Sequence, residues 1–246
     1  LLQSSNNDDE VTKSGNSFSG GTFNFDATTN IGAASTSHIV YSWKAGGSPS
    51  SNTNGSITSS VSVASHGGFS VGTYTGNTTS STTKTVGHGL SRKPSWIIVK
   101  MRSGSGTQTW TTWQEDIFAI ASNAYIILSG DGSGAGAART SGASFASTAP
   151  TGPTDGTGVY SAGNDATNQN GDTFCFWAFA KTPGLIASGT YTGNASADGP
   201  VVVVDDGAFG FQPAWVMVKD INSGQDWAVF DNVRNPLNPG GDRLII

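Results

Sequence analysis

Pro94-Ser95-Trp96-Ile97-Ile98-Val99-Lys100-Met101 carries apolar side chains on both of the faces that a β-strand presents. Successive strand residues point to opposite sides, so Trp96, Ile98 and Lys100 line one face and Ile97, Val99 and Met101 the other. A strand apolar on both faces belongs between two layers, in the middle of a sheet. Pro94 stands at the strand entrance, where a missing N–H is tolerated. Gly104-Ser105-Gly106-Thr107 then turns the chain into Gln108–Gln114, which reads as the return strand of a β-hairpin.

The same arrangement comes back later. Pro213-Ala214-Trp215-Val216-Met217-Val218-Lys219 repeats the first strand at an offset of 119, followed by a turn at Asn222-Ser223-Gly224-Gln225 and a strand at Asp226–Asp231. Upstream, Gly72-Thr73-Tyr74-Thr75-Gly76-Asn77 recurs unchanged as Gly189-Thr190-Tyr191-Thr192-Gly193-Asn194, 117 residues on. Trp110 and Trp113 are answered by Trp227 and Phe230, also at 117. A weaker set matches Asp26-Ala27-Thr28 with Asp165-Ala166-Thr167 at 139, and pairs Tyr41-Ser42-Trp43-Lys44-Ala45 by pattern with Trp177-Ala178-Phe179-Ala180-Lys181 at 136. Ordered matches at nearly constant offset predict a duplicated domain of about 118 residues. On this reading 1–68 is the C-terminal half of one repeat, 69–187 a complete repeat, and 188–246 the N-terminal half of a further one. Such a chain reads as a fragment of a longer stacked or beaded array.

Further strands are expected at Ala124–Ser129, Gly158–Ser161 and Phe174–Ala180. The last is set as a strand by its aromatic content and by Gly171-Asp172 before it and Pro183-Gly184 after it. No stretch of ten residues keeps a helical apolar period; Glu115–Ala121 and Asp231–Pro236 have room for one helical turn each. Gly130–Ser147 and Thr148–Gly158 read as Gly/Ser/Pro-rich loops, the natural place for specificity on such a scaffold. The fold class is therefore all-β: tandem β-sandwich repeats, jelly-roll-like in kind.

Composition agrees. Charged residues make up 12% of the chain, about half the usual share, and 34 of the 246 residues are glycine. Aromatic residues at 10%, with seven tryptophans, supply the apolar side chains that a disordered chain lacks. A net charge of −5 and the absence of any basic cluster beyond Arg92-Lys93 argue against nucleic acid as a partner. No run of 18 apolar residues offers a membrane span. Cys175 is the single cysteine, so no intramolecular disulfide forms, which suits assembly in a reducing compartment; within Phe174-Cys175-Phe176-Trp177 it reads as a buried, inert thiol.

No catalytic, metal or cofactor constellation emerges. His38, His66 and His88 stand apart, without HxH or HExxH spacing, and His88 reads as a loop residue. No Gly-x-Ser-x-Gly elbow lies between a strand and a helix. Glu115-Asp116 and Asp205-Asp206 are adjacent pairs whose side chains diverge on a strand, so neither is arranged to flank a glycosidic bond. Asp131-Gly132-Ser133-Gly134 and Asp155-Gly156-Thr157-Gly158 each offer one carboxylate, which reads as a turn rather than a calcium loop. Trp96 and Trp215 are expected in the core. Trp110 and Trp113, three apart, must face opposite sides of a strand, so at most one is expected there, with Trp113 a candidate for an interface or a glycan site.

Gly-Thr-Tyr-Thr-Gly-Asn, then Pro-Ala-Trp-Val-Met-Val-Lys, a Trp/Phe strand and Arg234-Asn235-Pro236-Leu237-Asn238-Pro239 together resemble a repeated domain of tail-fibre and related structural proteins of tailed bacteriophages, particularly marine ones. Phe174–Ala180 resembles the end of the same domain. The motifs cover nearly all of 69–246 and more faintly 18–45; the first copy departs from them with Gln114-Glu115-Asp116-Ile117 where the second has Asp231-Asn232-Val233-Arg234. The resemblance implies a non-enzymatic virion appendage that contributes to host-surface attachment. It also implies a homotrimer, other virion structural proteins as partners and host-surface glycans as ligands, and it brings no catalytic residues. The alternatives are a secreted or cell-surface carbohydrate-binding array and a head fibre or capsid decoration protein.

Overall fold

A computed structural model describes residues 8–10, 16–19, 21–25, 40–78, 84–104, 106, 108–117, 126–128, 144–145, 149–154, 158–163, 165–196, 199–200, 202–204, 210–222 and 227–233. In chain order the elements are β1 (Ser17–Ser19), β2 (Thr22–Asn24), β3 (Ser50–Asn52), β4 (Ser59–Val63), β5 (Phe69–Thr75), β6 (Lys84–Gly87) and β7 (Trp96–Ser103). They continue with β8 (Thr111–Gln114), β9 (Ile126–Ile127), β10 (Val159–Ala162), the single helical turn α1 (Asp165–Asn168), β11 (Thr173–Phe179), β12 (Trp215–Lys219) and β13 (Trp227–Asp231). The fold is all-β, and among the described residues each pairing between these strands is antiparallel.

β7 runs inside a seven-stranded sheet of order β3-β4-β5-β11-β7-β8-β9. Its expected double-sided burial holds, because both faces of the sheet are covered. On the inner face Ile97, Val99 and Met101 join Phe174, Phe176, Tyr74, Val61 and Trp113. The two-stranded sheet β10-β6 lies over them, with Tyr160 edge-on to Phe176 at 5.5 Å and to Tyr74 at 6.3 Å. Each fully buried side chain the size of Phe176 or Ile97 favours the folded state by about 1.5–3 kcal/mol.

The outer face carries an aromatic row. Trp96 stacks on Phe179 at 4.7 Å, Phe179 packs on Phe69 at 4.9 Å, and Trp110 stacks on Trp177 at 5.4 Å. Trp110 and Trp113 do face opposite sides, but both are buried, which corrects the expectation that only one would be. That expectation assumed one solvated face, whereas apolar clusters cover both faces of the sheet around these residues.

Residues from the N-terminal segment cover the outer face. Trp43 lies over the rings of Phe69 and Phe179. At the other end Asp8–Glu10 crosses β7: the Glu10 N–H donates to the Arg102 carbonyl, Lys100 Nζ donates to the Asp8 carbonyl at 2.9 Å, and Arg102 pairs with Glu10 at 2.6 Å. β3 and β4 lie within 1–68, and β4 pairs directly with β5, so the sheet takes strands from both sides of the expected boundary at 68/69.

β12 and β13 form a separate hairpin whose register matches that of β7 and β8. Trp215 pairs with Asp231 and Val216 with Phe230, as Trp96 pairs with Gln114 and Ile97 with Trp113. The closing bonds also correspond: Asn232 N–H to the Ala214 carbonyl at 3.0 Å, and Glu115 N–H to the Ser95 carbonyl at 2.9 Å. The two Gly-Thr-Tyr blocks differ. Tyr74 lies in β5 and is 5% exposed, whereas Tyr191 lies outside any strand and is 51% exposed.

Candidate functional site

Tyr41-Ser42-Trp43-Lys44-Ala45 lies outside any strand and touches both the seven-stranded sheet and the β12–β13 hairpin. Both Tyr41 and Trp43 meet Trp215. Tyr41 is edge-on to Trp215 at 5.8 Å, and Trp43 meets it at 5.6 Å with the rings nearly perpendicular. The Tyr41 hydroxyl donates to Asp231 Oδ2 at 3.0 Å, and Asp231 Oδ1 accepts from the Val233 N–H at 3.1 Å. Trp43 meets three aromatic rings, those of Phe69, Phe179 and Trp215, yet remains 47% exposed. The buried Trp215 Nε1 has no hydrogen-bond partner among the described residues. An indole held in place with nearly half its surface open, beside a phenol–carboxylate pair, has the chemistry to stack on a sugar ring and bond its hydroxyls. Sequence reasoning missed this cluster; it took Trp43 only as a repeat marker, and nothing in the sequence places Trp43 beside Trp215.

Those titratable groups singled out in the sequence that lie among the described residues serve the scaffold. His88 is buried just after β6. Its Nδ1 accepts from the Leu90 N–H at 3.1 Å, so Nε2 carries the proton and donates to the Thr151 carbonyl at 2.7 Å. It thus ties residues 149–154 to the end of β6. His66 Nδ1 accepts from the Gly68 N–H within a turn. Glu115 pairs with Lys93 at 2.8 Å, and Asp116 with Lys181 at 3.0 Å, so the adjacent carboxylates address different cations.

Cys175 is buried, and burial pushes its thiol up to about 12. Burial also pushes the Lys100 ammonium below its ordinary value, partly offset by Asp9 and Asp8. Tyr74 and Tyr160 are both raised by burial, and the Tyr74 hydroxyl donates to the Thr167 carbonyl at 2.5 Å. Among the described residues no group of three or more His, Cys, Asp or Glu is placed to hold a metal ion. Nor is any helix among them long and apolar enough to cross a membrane. His38, Asp131, Asp155, Asp205-Asp206, Asp26-Ala27-Thr28 and Arg234–Pro239 lie outside the described residues.

Fold and site together define an all-β, sandwich-type domain with an aromatic cluster on its outer face. The chain belongs to the family described as a domain of unknown function (DUF7483), whose model matches residues 1–245. No curated protein and no solved structure matches it.

Proposed function

We propose that this chain is a structural and adhesive component of a tailed-phage appendage, of the tail-fibre type, and contributes to attachment at the host surface. The observation that carries the reading is the Trp43 cluster: a fixed, half-exposed indole beside the Tyr41–Asp231 pair, on a rigid β-scaffold. Its chemistry suits a pyranose ring, whose C–H face stacks on an indole while its hydroxyls reach a carboxylate. The motif resemblance supports the virion setting, and the low charge and abundant glycine suit an extracellular fibre surface.

The test is binding of the chain to an array of bacterial surface polysaccharides, alongside Trp43→Ala. The expected result is glycan binding weakened about tenfold or more by the substitution, with near-ultraviolet circular dichroism otherwise retained. Binding to no glycan would overturn the adhesive role and leave a spacer. Binding unchanged by Trp43→Ala would move the site elsewhere. Light scattering beside an unheated denaturing gel separates the fibre from a carbohydrate-binding array: a heat-sensitive trimer supports the fibre, and a monomer supports the array.

A further inference from the structure

β5 needs its glycines. A β-carbon at Gly72 would lie 2.5 Å from the Phe176 ring and 3.0 Å from the Ser60 carbonyl, and one at Gly76 would collide with the Gln169 carbonyl. Gly189 and Gly193 hold the same places in the second Gly-Thr-Tyr block, yet a β-carbon at either meets nothing within 4 Å. The second block thus keeps a steric allowance that its own surroundings do not call for. Exposed apolar surface is distributed in the same sense. Among the described residues, every exposed large hydrophobic lies before residue 46 or after residue 184, as with Phe23, Phe25 and Val40 on one side and Leu185, Tyr191, Val216 and Val233 on the other. Two segments that each expose apolar surface are complementary candidates for burial.

β12 also has an open edge. Among the described residues it pairs only with β13, whereas β7, which shares its register, pairs with β8 on one side and β11 on the other. The stretch that matches β11 in sequence is Tyr41–Ala45, and it already sits against β12 through Trp215. Trp43 matches Phe179, and the two rings meet at 5.9 Å. Contact between equivalent positions is the mark of a two-fold relation between like surfaces. Ile186, which matches Phe69, packs into the same cluster. The larger offset of the Tyr41 block also has a structural cause. Between Ala45 and Phe69 the chain builds β3 and β4, whereas between Lys181 and Ile186 it makes only a turn closed by Thr182 and Ile186.

We infer that the segments flanking the seven-stranded sheet form a second copy of the domain, split across the chain, in which Tyr41–Ala45 is the strand between β12 and residues 186–192. The register follows from the complete copy. Trp43 stands opposite Trp215, Ser42 opposite Val216 and Tyr41 opposite Met217, as Phe179, Ala178 and Trp177 stand opposite Trp96, Ile97 and Ile98. On the other side Val40 faces Gly189, as Phe176 faces Gly72. The two copies then meet through their outer faces, where Trp43 touches Phe179.

The chain carrying Ser42→Cys and Val216→Cys tests this register. Facing residues of antiparallel strands are about 4.5–5.5 Å apart at Cα, within reach of a disulfide. Native Cys175 is buried and stays out of the reaction. Mild oxidation is expected to remove both engineered thiols from alkylation within a monomer. The slipped pair Ser42→Cys with Met217→Cys, whose side chains face opposite sides, should keep both. Hydrogen exchange on the unmodified chain is independent of whether the variants fold, and slow exchange at Tyr41, Ser42 and Trp43 is the expected result. Engineered thiols at residues 42 and 216 that stay free together with fast exchange at those residues would overturn the inference, and so would a cross-link formed only between molecules.

Discussion

Phe176 lies across Gly72 on the adjacent strand, with its ring edge occupying the space that any larger side chain at residue 72 would need. The neighbouring Ser60 carbonyl closes the other side. Phe176 is fully buried against Tyr160 and Tyr74, so it has no room to retreat. Gly72→Ala is expected to destabilise the fold by about 1–3 kcal/mol, through overpacking. In urea this should appear as a lower midpoint with an unchanged slope. An unchanged midpoint would mean that the strands do not approach as closely as described.

Cys175 and the alkaline limb of stability form a second test. Its thiol is raised from an ordinary 9.0 to about 12 by burial, so the folded state holds this proton more tightly than the unfolded state does. The resulting stability is full below 9.0 and is lost as pH rises through that window. Tyr74 and Tyr160, both raised by burial, act with the same sign above their ordinary 10.0. Lys100, lowered by burial, acts with the opposite sign as pH rises toward 10.5, one group against three. The denaturation midpoint is expected to fall from neutral to strongly alkaline pH, and native Cys175 to resist iodoacetamide until denaturant is added. Rapid alkylation of the native thiol would show that the outer face is open.

Lys100 and Lys219 hold the same place in matching strands, Trp-Ile-Ile-Val-Lys and Trp-Val-Met-Val-Lys. Lys100 is buried beneath Asp8–Glu10 with Nζ on the Asp8 carbonyl, whereas Lys219 is half-buried, with Nζ on the carbonyl of its chain neighbour Asp220. Lys100→Ala is expected to cost about 2–4 kcal/mol, from the lost stem packing and the orphaned acceptors. Lys219→Ala should stay within about 0.5 kcal/mol. Calorimetric melting of the two variants distinguishes them, and equal effects would sink the role given to the Asp8–Glu10 crossing.

The strands were legible where local pattern and burial coincide. Doubly apolar Trp96–Met101 reads as a central strand, and it is one; Phe174–Ala180, with its turn residues on each side, reads as a strand and is β11. The matching register of the two hairpins was legible too, because the offsets of 119 and 117 on the two arms fix which residues face each other. β3 and β4 were not legible. Ser50–Asn52 and Ser59–Val63 are rich in serine, and only pairing with β5 gives them a reason to be strands.

What the sequence determined by itself is which residues alternate, which repeat and where the chain turns, since periodicity and turn chemistry are local properties. The opposite orientations of Trp110 and Trp113 belong to this class. That both are buried was decided by the tertiary structure, as was the placing of Trp43 against Trp215 and Tyr41 against Asp231, residues 172 and 190 positions apart. Burial depends on what covers a face, and the cover here comes from segments distant in the chain. For that reason one Gly-Thr-Tyr-Thr-Gly-Asn lies inside the sheet and its identical twin lies outside it.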